Sequence, residues 1–103
     1  MYGMIVKLNA APGQRDAFIA ILKDSVSAMP GCISYVVALD PADENAIWVT
    51  EVWESQESHD ASLSFPAVTK AMAQARAMIT GMASRVVTTP VGGYGLADPY
   101  PLK

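Results

Sequence analysis

The only histidine of this 103-residue chain, His59, lies in a short polar stretch that follows an alternating apolar segment. A histidine exchanges protons near neutral pH and is the most frequent general base in enzymes. If this stretch is a helix, His59 shares a face with Ser62 and Leu63, three and four positions further along. With that face against a cavity, His59 could take a proton from a phenol. A solvent-exposed or helix-capping histidine is the alternative interpretation.

Trp53 and Glu51 stand two positions apart in the segment before His59, so on a strand they point to the same side. An indole offers an apolar wall and one N–H donor for a ligand oxygen, and packing in the core is its alternative role. Glu51 is a candidate half-buried carboxylate whose pKa would be raised by burial. The alternative for Glu51 is an ordinary ion pair, for which Arg85 is the candidate partner.

Three more side chains are candidates for binding a ligand. Tyr35 could donate a hydrogen bond to a ring oxygen, or it could simply fill the sheet surface. Ser62 could serve as a polar anchor. Met72 has the adaptable thioether that suits an apolar cavity wall, as do Met78 and Met82. The methionine spacing is also that of a buried helix face, so core packing is the alternative role.

The sequence lacks the motifs of metal and cofactor chemistry. It contains no HExxH motif and no carboxylate–histidine cluster, so we expect no metal site and no bound cofactor. The pair Gly92-Gly93 lacks the preceding strand and following helix of a phosphate-binding loop. Cys32 is the only cysteine, which excludes an intramolecular disulfide, and we expect it to be a half-buried strand residue.

Composition and charge bear on whether the protein binds nucleic acid and on whether it enters a membrane. The net charge is −3, and the seven lysines and arginines are scattered along the chain, so we expect no nucleic acid partner. The N-terminal region lacks a basic stretch followed by a long apolar run, and no apolar run approaches the ~20 residues of a membrane span. We therefore expect a soluble, cytoplasmic protein without a signal peptide or a membrane segment.

The first half of the chain alternates between strand and helix patterns. Residues 2–10 alternate as in a β-strand. Residues 14–29 repeat apolar positions every three or four residues, as in an amphipathic helix, whose apolar face would consist of Phe18, Ile21, Leu22, Val26 and Met29. Residues 32–39 and 46–53 alternate again, with a turn-forming cluster at 41–45 between them. An antiparallel hairpin is therefore predicted for this region.

Two helices are predicted after this hairpin. Ser55 stands where a helix N-cap belongs, and the short helix that follows it should end near residue 64. Pro66 suits the first turn of a third helix, which we predict to end near Gly81. The apolar face of this third helix would consist of Val68, Met72, Ala75, Ile79 and Met82.

A fourth strand over 84–89 completes the order β-α-β-β-α-α-β, the ferredoxin-like pattern of the α+β class with a four-stranded antiparallel sheet. We expect a single domain over 1–103, with its core at about 2–89 and an irregular tail over 90–103. The apolar side chains of this tail, Tyr94, Leu96 and Tyr100, suggest that it docks on another part of the protein. The helices can cover only one face of the sheet. Because an exposed second apolar face would exceed what monomers tolerate, a homodimer through that sheet face is predicted. This second face includes Ile5, Val36, Trp48 and Val52.

Three segments carry a resemblance to a known family: APGQRDAF after strand 1, PGCISYVV at strand 2, and EVWESQESHDASLSFPAV from strand 3 into the second helix. Over residues 4–96 the chain resembles the antibiotic biosynthesis monooxygenase (ABM) family of dimeric α+β barrels. The resemblance implies a homodimer in which each subunit holds a pocket between its own sheet and helices. Characterised relatives oxidise polycyclic phenols or quinols with O2 and no metal or flavin, degrade haem, act in signal processing, or have no assigned activity.

Two positions depart from the pattern of the haem-degrading relatives. Val6 stands where those relatives carry an asparagine, with Asn9 on the opposite face, and Ser62 stands where many members carry a histidine. The resemblance therefore favours a cofactor-independent monooxygenase that oxidises a phenolic or quinol-type aromatic substrate with O2, with His59 as the base and Trp53 beside the substrate. The alternatives are a non-catalytic ligand-binding or stress-related dimeric barrel, and an isomerase or cyclase that uses the same pocket.

Overall fold

The computed structural model describes residues 1–25 and 29–96. The predicted order of strands and helices is confirmed, and the first three strands begin and end where the sequence predicts them. The elements are β1 (Tyr2–Ala10), α1 (Arg15–Ser25), β2 (Cys32–Leu39), β3 (Ala46–Trp53), α2 (Gln56–Ser62), α3 (Pro66–Ala75) and β4 (Ile79–Thr88).

The four strands form one antiparallel sheet in the ferredoxin-like order β2-β3-β1-β4. Strands β2 and β3 pair as the predicted hairpin, with Val37 opposite Val49. Val49 in turn lies opposite Val6 of β1, and Val6 lies opposite Arg85 of β4. One row of residues therefore crosses all four strands on the same face of the sheet.

The helices pack on that face and form the core with β3. Phe18 of α1 and Ala75 of α3 lie against Ile47 and Val49, and each of the four is at most 4% exposed. Because side chains alternate along a strand, Trp53 points to the same side as these two β3 residues. The helix-covered face therefore runs continuously from the apolar core to the predicted site.

The end of α1 differs from the prediction of a helix over 14–29. Among the described residues the helix ends at Ser25, and residues 26–28, which include Val26 of the predicted apolar face, lie outside the described part of the chain. Met29 belongs to a turn, where its carbonyl accepts a hydrogen bond from the Cys32 N–H at 3.2 Å.

The prediction that α3 continues to Gly81 is wrong. The helix ends at Ala75, and β4 already begins at Ile79, which pairs with Ala10 of β1. Pairing with β1 supplies partners for the backbone groups of this segment, and β-branched Ile79 is favoured in strands. Apolar residues spaced three and four positions apart thus continue from α3 into β4, so this spacing does not mark where the helix ends. Gly81 lies inside β4, between two shifts of register with β1.

The tail after β4 has neither helix nor strand over residues 89–96, as predicted. The side chain of Tyr94 is fully exposed, so the predicted docking of the tail is not seen at this residue within one chain. Tyr100 lies outside the described residues. Of the helices in the described part of the chain, none has the length and apolar character needed to cross a membrane.

Candidate functional site

A cavity of about 540 Å³ lies between the helices and the covered face of the sheet. This volume falls in the range of small-molecule sites in proteins. Most of the wall is apolar, with polar side chains concentrated at the end near α2. All six side chains predicted to act in the site line this one cavity: Tyr35, Glu51, Trp53, His59, Ser62 and Met72.

Helix α2 carries side chains that line the cavity, and two contacts fix the position of its first turn. The Ser55 hydroxyl accepts a hydrogen bond from the Ser58 backbone N–H at 3.1 Å, which confirms the predicted N-cap. Gly31, immediately before β2, lies directly against this turn with a φ of +81°. A Cβ atom at Gly31 would come within 2.6 Å of the Ser58 side chain, so only glycine permits this close approach.

Three buried side chains form the polar end of the cavity, here named the Glu51–Trp53–His59 cluster. The Trp53 indole donates a hydrogen bond from Nε1 to Glu51 Oε1 at 2.9 Å. His59 Nε2 lies 4.0 Å from the same oxygen. The indole also meets the imidazole edge to face, with ring centres 5.5 Å apart at 82°. Each of the three residues is at most 8% exposed, so the cluster is almost fully shielded from bulk solvent beside the cavity.

The Glu51 carboxyl is electrostatically unusual. Burial raises its pKa, and this effect exceeds the opposing effects of the Trp53 hydrogen bond and of the charges of His59 and Arg85. Arg85, predicted as an ion-pair partner, instead donates a hydrogen bond to the Tyr2 hydroxyl at 3.5 Å. No described residue hydrogen-bonds to the second carboxylate oxygen of Glu51, which leaves that oxygen available to a ligand.

Two other ionisable side chains near Glu51 are held in their neutral forms. Burial, followed by the charge of Glu51, raises the pKa of the Tyr35 phenol well above its usual value. Tyr35 therefore remains a hydrogen-bond donor near neutral pH and cannot act as a base. Burial and Glu51 likewise raise the pKa of the Cys32 thiol, which disfavours the nucleophilic thiolate.

Of the two remaining predicted residues that line the cavity, Ser62 is buried and Met72 is exposed to solvent. The Ser62 hydroxyl is buried and donates a hydrogen bond to the His59 carbonyl at 2.6 Å. Because its single proton is already used, Ser62 can only accept a hydrogen bond from a ligand. Met72 is 55% exposed, so its thioether lies where the cavity opens to solvent.

The cavity extends along the strands to a second end lined by Arg76 and Gly81. Gly81 pairs with Asn9 of β1, whereas Glu51 pairs with Met4 of the same strand. Five strand positions at ~3.4 Å each separate these ends by ~17 Å. The cavity is therefore elongated, with the acid–base cluster at one end and a cation at the other.

Sequence reasoning missed two neighbours of His59. The Tyr2 ring lies 5.3 Å from the imidazole, centre to centre, and the pairing of Tyr2 with Trp53 across β1 and β3 was the signal that could have identified it. Asp60 Oδ1 lies 3.1 Å from His59 Nδ1. This contact could not be read from the sequence, because adjacent residues of a helix do not ordinarily face each other. Within residues 1–25 and 29–96, no three His, Cys, Asp or Glu side chains are arranged as metal ligands.

Fold and cavity together define a class: ferredoxin-like α+β proteins whose helices enclose a small-molecule-sized cavity on one face of the sheet. The sequence profile of the family described as "Antibiotic biosynthesis monooxygenase" matches residues 1–74. This match covers more than half of the chain. The chain therefore belongs to the antibiotic biosynthesis monooxygenase family.

Solved structures agree with this assignment. A Chloroflexus aurantiacus J-10-fl protein that carries the same family name is 57% identical, with a TM-score of 0.91 over 93% of this chain and 98% of its own. Protein PA3566 of Pseudomonas aeruginosa is 18% identical, with a TM-score of 0.76 over 88% and 94%. A Deinococcus radiodurans protein of the same family name is 18% identical, with a TM-score of 0.75 over 90% and 95%. The last two show a likeness of fold alone. The comparison with curated proteins gives no match.

Proposed function

We propose that this protein is a cofactor-independent monooxygenase that oxidises a phenolic or quinol-type aromatic substrate with O2. The observation that carries the proposal is the position of His59, whose Nε2 faces Glu51 at the acid–base end of a mostly apolar cavity. Such a site combines one proton acceptor with a water-poor space for a flat, apolar ligand. It is the arrangement that deprotonation of a phenol requires.

The chemistry follows from the electronic structure of oxygen. Ground-state O2 is a triplet and reacts slowly with closed-shell organic molecules unless the substrate gives up an electron readily. A phenolate or hydroquinone anion can do so without a metal or a flavin. The protein then has to deprotonate the substrate, hold it beside an apolar space that O2 can enter, and exclude bulk water.

Each side chain of the site has a role in this scheme. His59 takes the proton of the substrate hydroxyl, and Trp53 forms the wall against which the aromatic rings lie. Tyr35, held in its protonated form, donates a hydrogen bond to a second ring oxygen, while Ser62 and Glu51 offer acceptors for ligand hydroxyls. Met72 is an adaptable apolar contact at the opening.

The proposal includes a homodimer formed through the sheet face that the helices leave uncovered. Val36, Thr50, Ile5 and Val86 form a row across all four strands on this face. Ile5 is 36%, Val86 50% and Val36 56% exposed in a single chain. The nearby charge of Lys7 is matched by Asp40 at 3.5 Å. An apolar, charge-balanced surface of this kind is typical of a face that packs against a second copy.

The proposal is tested by oxygen consumption. Metal-free protein, treated with a chelator, is mixed with a panel of hydroquinones of one to four rings, and the uptake of O2 is measured above the spontaneous rate. We expect uptake that survives chelation and falls at least 10²-fold in His59→Ala, as expected for loss of a general base. Glu57→Ala, on the exposed side of the same helix, is the matched control and should retain the rate.

The other outcomes separate the competing functions. Product formed without O2 uptake would contradict the oxygenase and identify an isomerase or cyclase. Tight binding without any product would contradict turnover altogether and identify a ligand-binding barrel. Uptake that is unchanged in His59→Ala would remove His59 as the base.

A further inference from the structure

The side chain of His59 connects the cavity to the outer surface of α2. His59 itself is 8% exposed and its Nε2 points toward Glu51 inside the cavity. Its other nitrogen, Nδ1, lies 3.1 Å from Oδ1 of Asp60, whose side chain is 59% exposed. Consecutive positions on a helix point about 100° apart, so one residue faces the cavity and the next faces solvent. The contact with Asp60 therefore reaches the imidazole from outside the site.

The direction of this hydrogen bond follows from the chemistry of its partners. An ionised carboxylate has no proton to donate, so the bond requires a proton on Nδ1. The competing carboxylate, Glu51, is a weaker partner for the ring, because its Oε1 is 4.0 Å away and already accepts the Trp53 indole proton. At 3.1 Å the bond to Asp60 is within hydrogen-bonding range, and the 4.0 Å approach to Glu51 is not.

We infer that Asp60 is a positioning residue, which fixes neutral His59 as the Nδ1–H tautomer and so leaves the Nε2 lone pair facing the cavity as the proton acceptor. The hydrogen bond made by one ring nitrogen determines which tautomer a histidine adopts. The use of this tautomer in catalysis rests on the proposed function. The tautomer itself does not depend on that function.

The rest of the surroundings keep the ring in this orientation. Tyr2 from β1 lies 5.3 Å from the imidazole centre, and Trp53 from β3 lies 5.5 Å away on another side. The Ser62 hydroxyl holds the His59 backbone carbonyl. The charged groups that face the ring are Glu51 and Asp60, with Arg85 of β4 reaching the neighbourhood through its contact with the Tyr2 hydroxyl.

The proton transfer that this tautomer permits is balanced in atoms and charge. The O–H bond of the bound phenol breaks, the proton forms a bond to Nε2, and the electron pair stays on the phenolate oxygen. The resulting imidazolium lies between the carboxylates of Asp60 and Glu51, at 3.1 and 4.0 Å.

The inference is tested by nitrogen NMR. Because His59 is the only histidine in the sequence, long-range ¹H–¹⁵N spectra of the tag-free protein report its two ring nitrogens without overlap. At a pH where the ring is neutral, we expect the proton on Nδ1 in the wild type and in Asp60→Glu. In Asp60→Ala, which leaves Nδ1 without an acceptor, we expect the share of rings with the proton on Nε2 to rise. An Nε2–H tautomer in the wild type, or an unchanged tautomer in Asp60→Ala, would overturn the inference.

Kinetics provide a second readout. Since rings with the proton on Nε2 cannot act as the base, we expect kcat for hydroquinone oxidation to fall about tenfold in Asp60→Ala, with KM changed less than about twofold, and Asp60→Glu to keep most of the rate. Glu57→Ala removes the same charge from the same helix and should leave both constants unchanged. A fall in Glu57→Ala equal to that in Asp60→Ala would contradict a specific role of Asp60. Absence of oxidation in all forms, with an Nδ1–H wild-type ring, would contradict the proposed function and leave the tautomer assignment intact.

Discussion

Trp53 donates its indole proton to Glu51 inside the cavity, with 2.9 Å between Nε1 and Oε1. The sequence suggests separate roles for these two residues, an apolar wall and a binding carboxylate. The hydrogen bond links these roles, because the Trp53 side chain that forms the cavity wall also donates to the buried carboxyl group of Glu51. Changes to either residue should therefore affect both stability and the ionisation of the site.

Replacing Trp53 with phenylalanine should keep an aromatic wall and remove the donor to Glu51. The buried oxygen then loses its partner, the pKa of Glu51 rises further, and the free energy of unfolding should fall by about 1–3 kcal/mol. Urea unfolding near pH 7 measures this change. Trp48→Phe is the matched control, because Trp48 Nε1 donates to Asp40 in a less buried setting. A loss in Trp48→Phe as large as that in Trp53→Phe would contradict the importance of the buried bond.

The ionisation of Glu51 should make stability depend on pH. Burial raises its folded-state pKa above the ordinary 4.5, so its contribution to stability is full below about pH 4.5 and is lost as pH rises through the folded-state pKa. Glu51→Gln keeps an acceptor for Trp53 but has no proton to lose. Urea unfolding at half-unit pH steps should therefore show a steeper decline toward neutrality in the wild type than in the variant. Parallel curves for the two proteins would be inconsistent with a buried, titrating Glu51.

Gly31 should be intolerant of a side chain because it lies against the first turn of α2. Alanine there meets both the cost of a φ of +81° and a contact of 2.6 Å with Ser58. Gly13 has a similar φ of +77° and open space around it. Gly13→Ala should therefore cost only ~1–2 kcal/mol for the left-handed backbone, and Gly31→Ala clearly more. Thermal unfolding of the two variants compares them, and equal losses would show that α2 does not pack closely on Gly31.

Residues on the uncovered sheet face should determine whether two copies of the chain associate as a dimer. Val86 and Val87 are neighbours on β4 and are each 50% exposed, but Val86 pairs with Ile5 in the outer row whereas Val87 pairs with buried Met4. Val86→Lys should convert the proposed dimer to monomers, because an apolar interface does not accommodate an unpaired charge. Val87→Lys should leave the dimer intact. Sedimentation velocity measures both, and a monomeric wild type would contradict the proposed homodimer.

Much of the fold could be predicted because its signals are local. Alternation identified β1, β2 and β3 to the residue, and Ser55 identified the start of α2. The boundary between α3 and β4 was missed because apolar residues at Ile79 and Met82 continue the helical spacing by coincidence. Only the pairing with β1, a long-range interaction, determines that this segment is a strand.

That the candidate residues lie around one cavity could be predicted from the sequence more completely than the contacts among them. The strand alternation brings Glu51 and Trp53 together, and the helix spacing brings His59 and Ser62 to the same cavity. The hydrogen bond of Asp60 to His59 depends on side-chain rotamers that no sequence pattern specifies. The same holds for Arg85, which the sequence offered as a partner of Glu51 and which hydrogen-bonds to Tyr2 instead.

The central claim, that this cavity takes a proton from a phenol at His59, is tested most directly by the absorption spectrum of a bound chromogenic phenol. With 4-nitrophenol and excess protein, at a pH where the free phenol stays protonated, we predict a phenolate band in the wild type. The band should weaken at least tenfold in His59→Gln and remain in Glu57→Gln, with binding in each case verified by equilibrium dialysis. A phenol that stays protonated when bound to the wild type, or that ionises equally in His59→Gln, would contradict the claim.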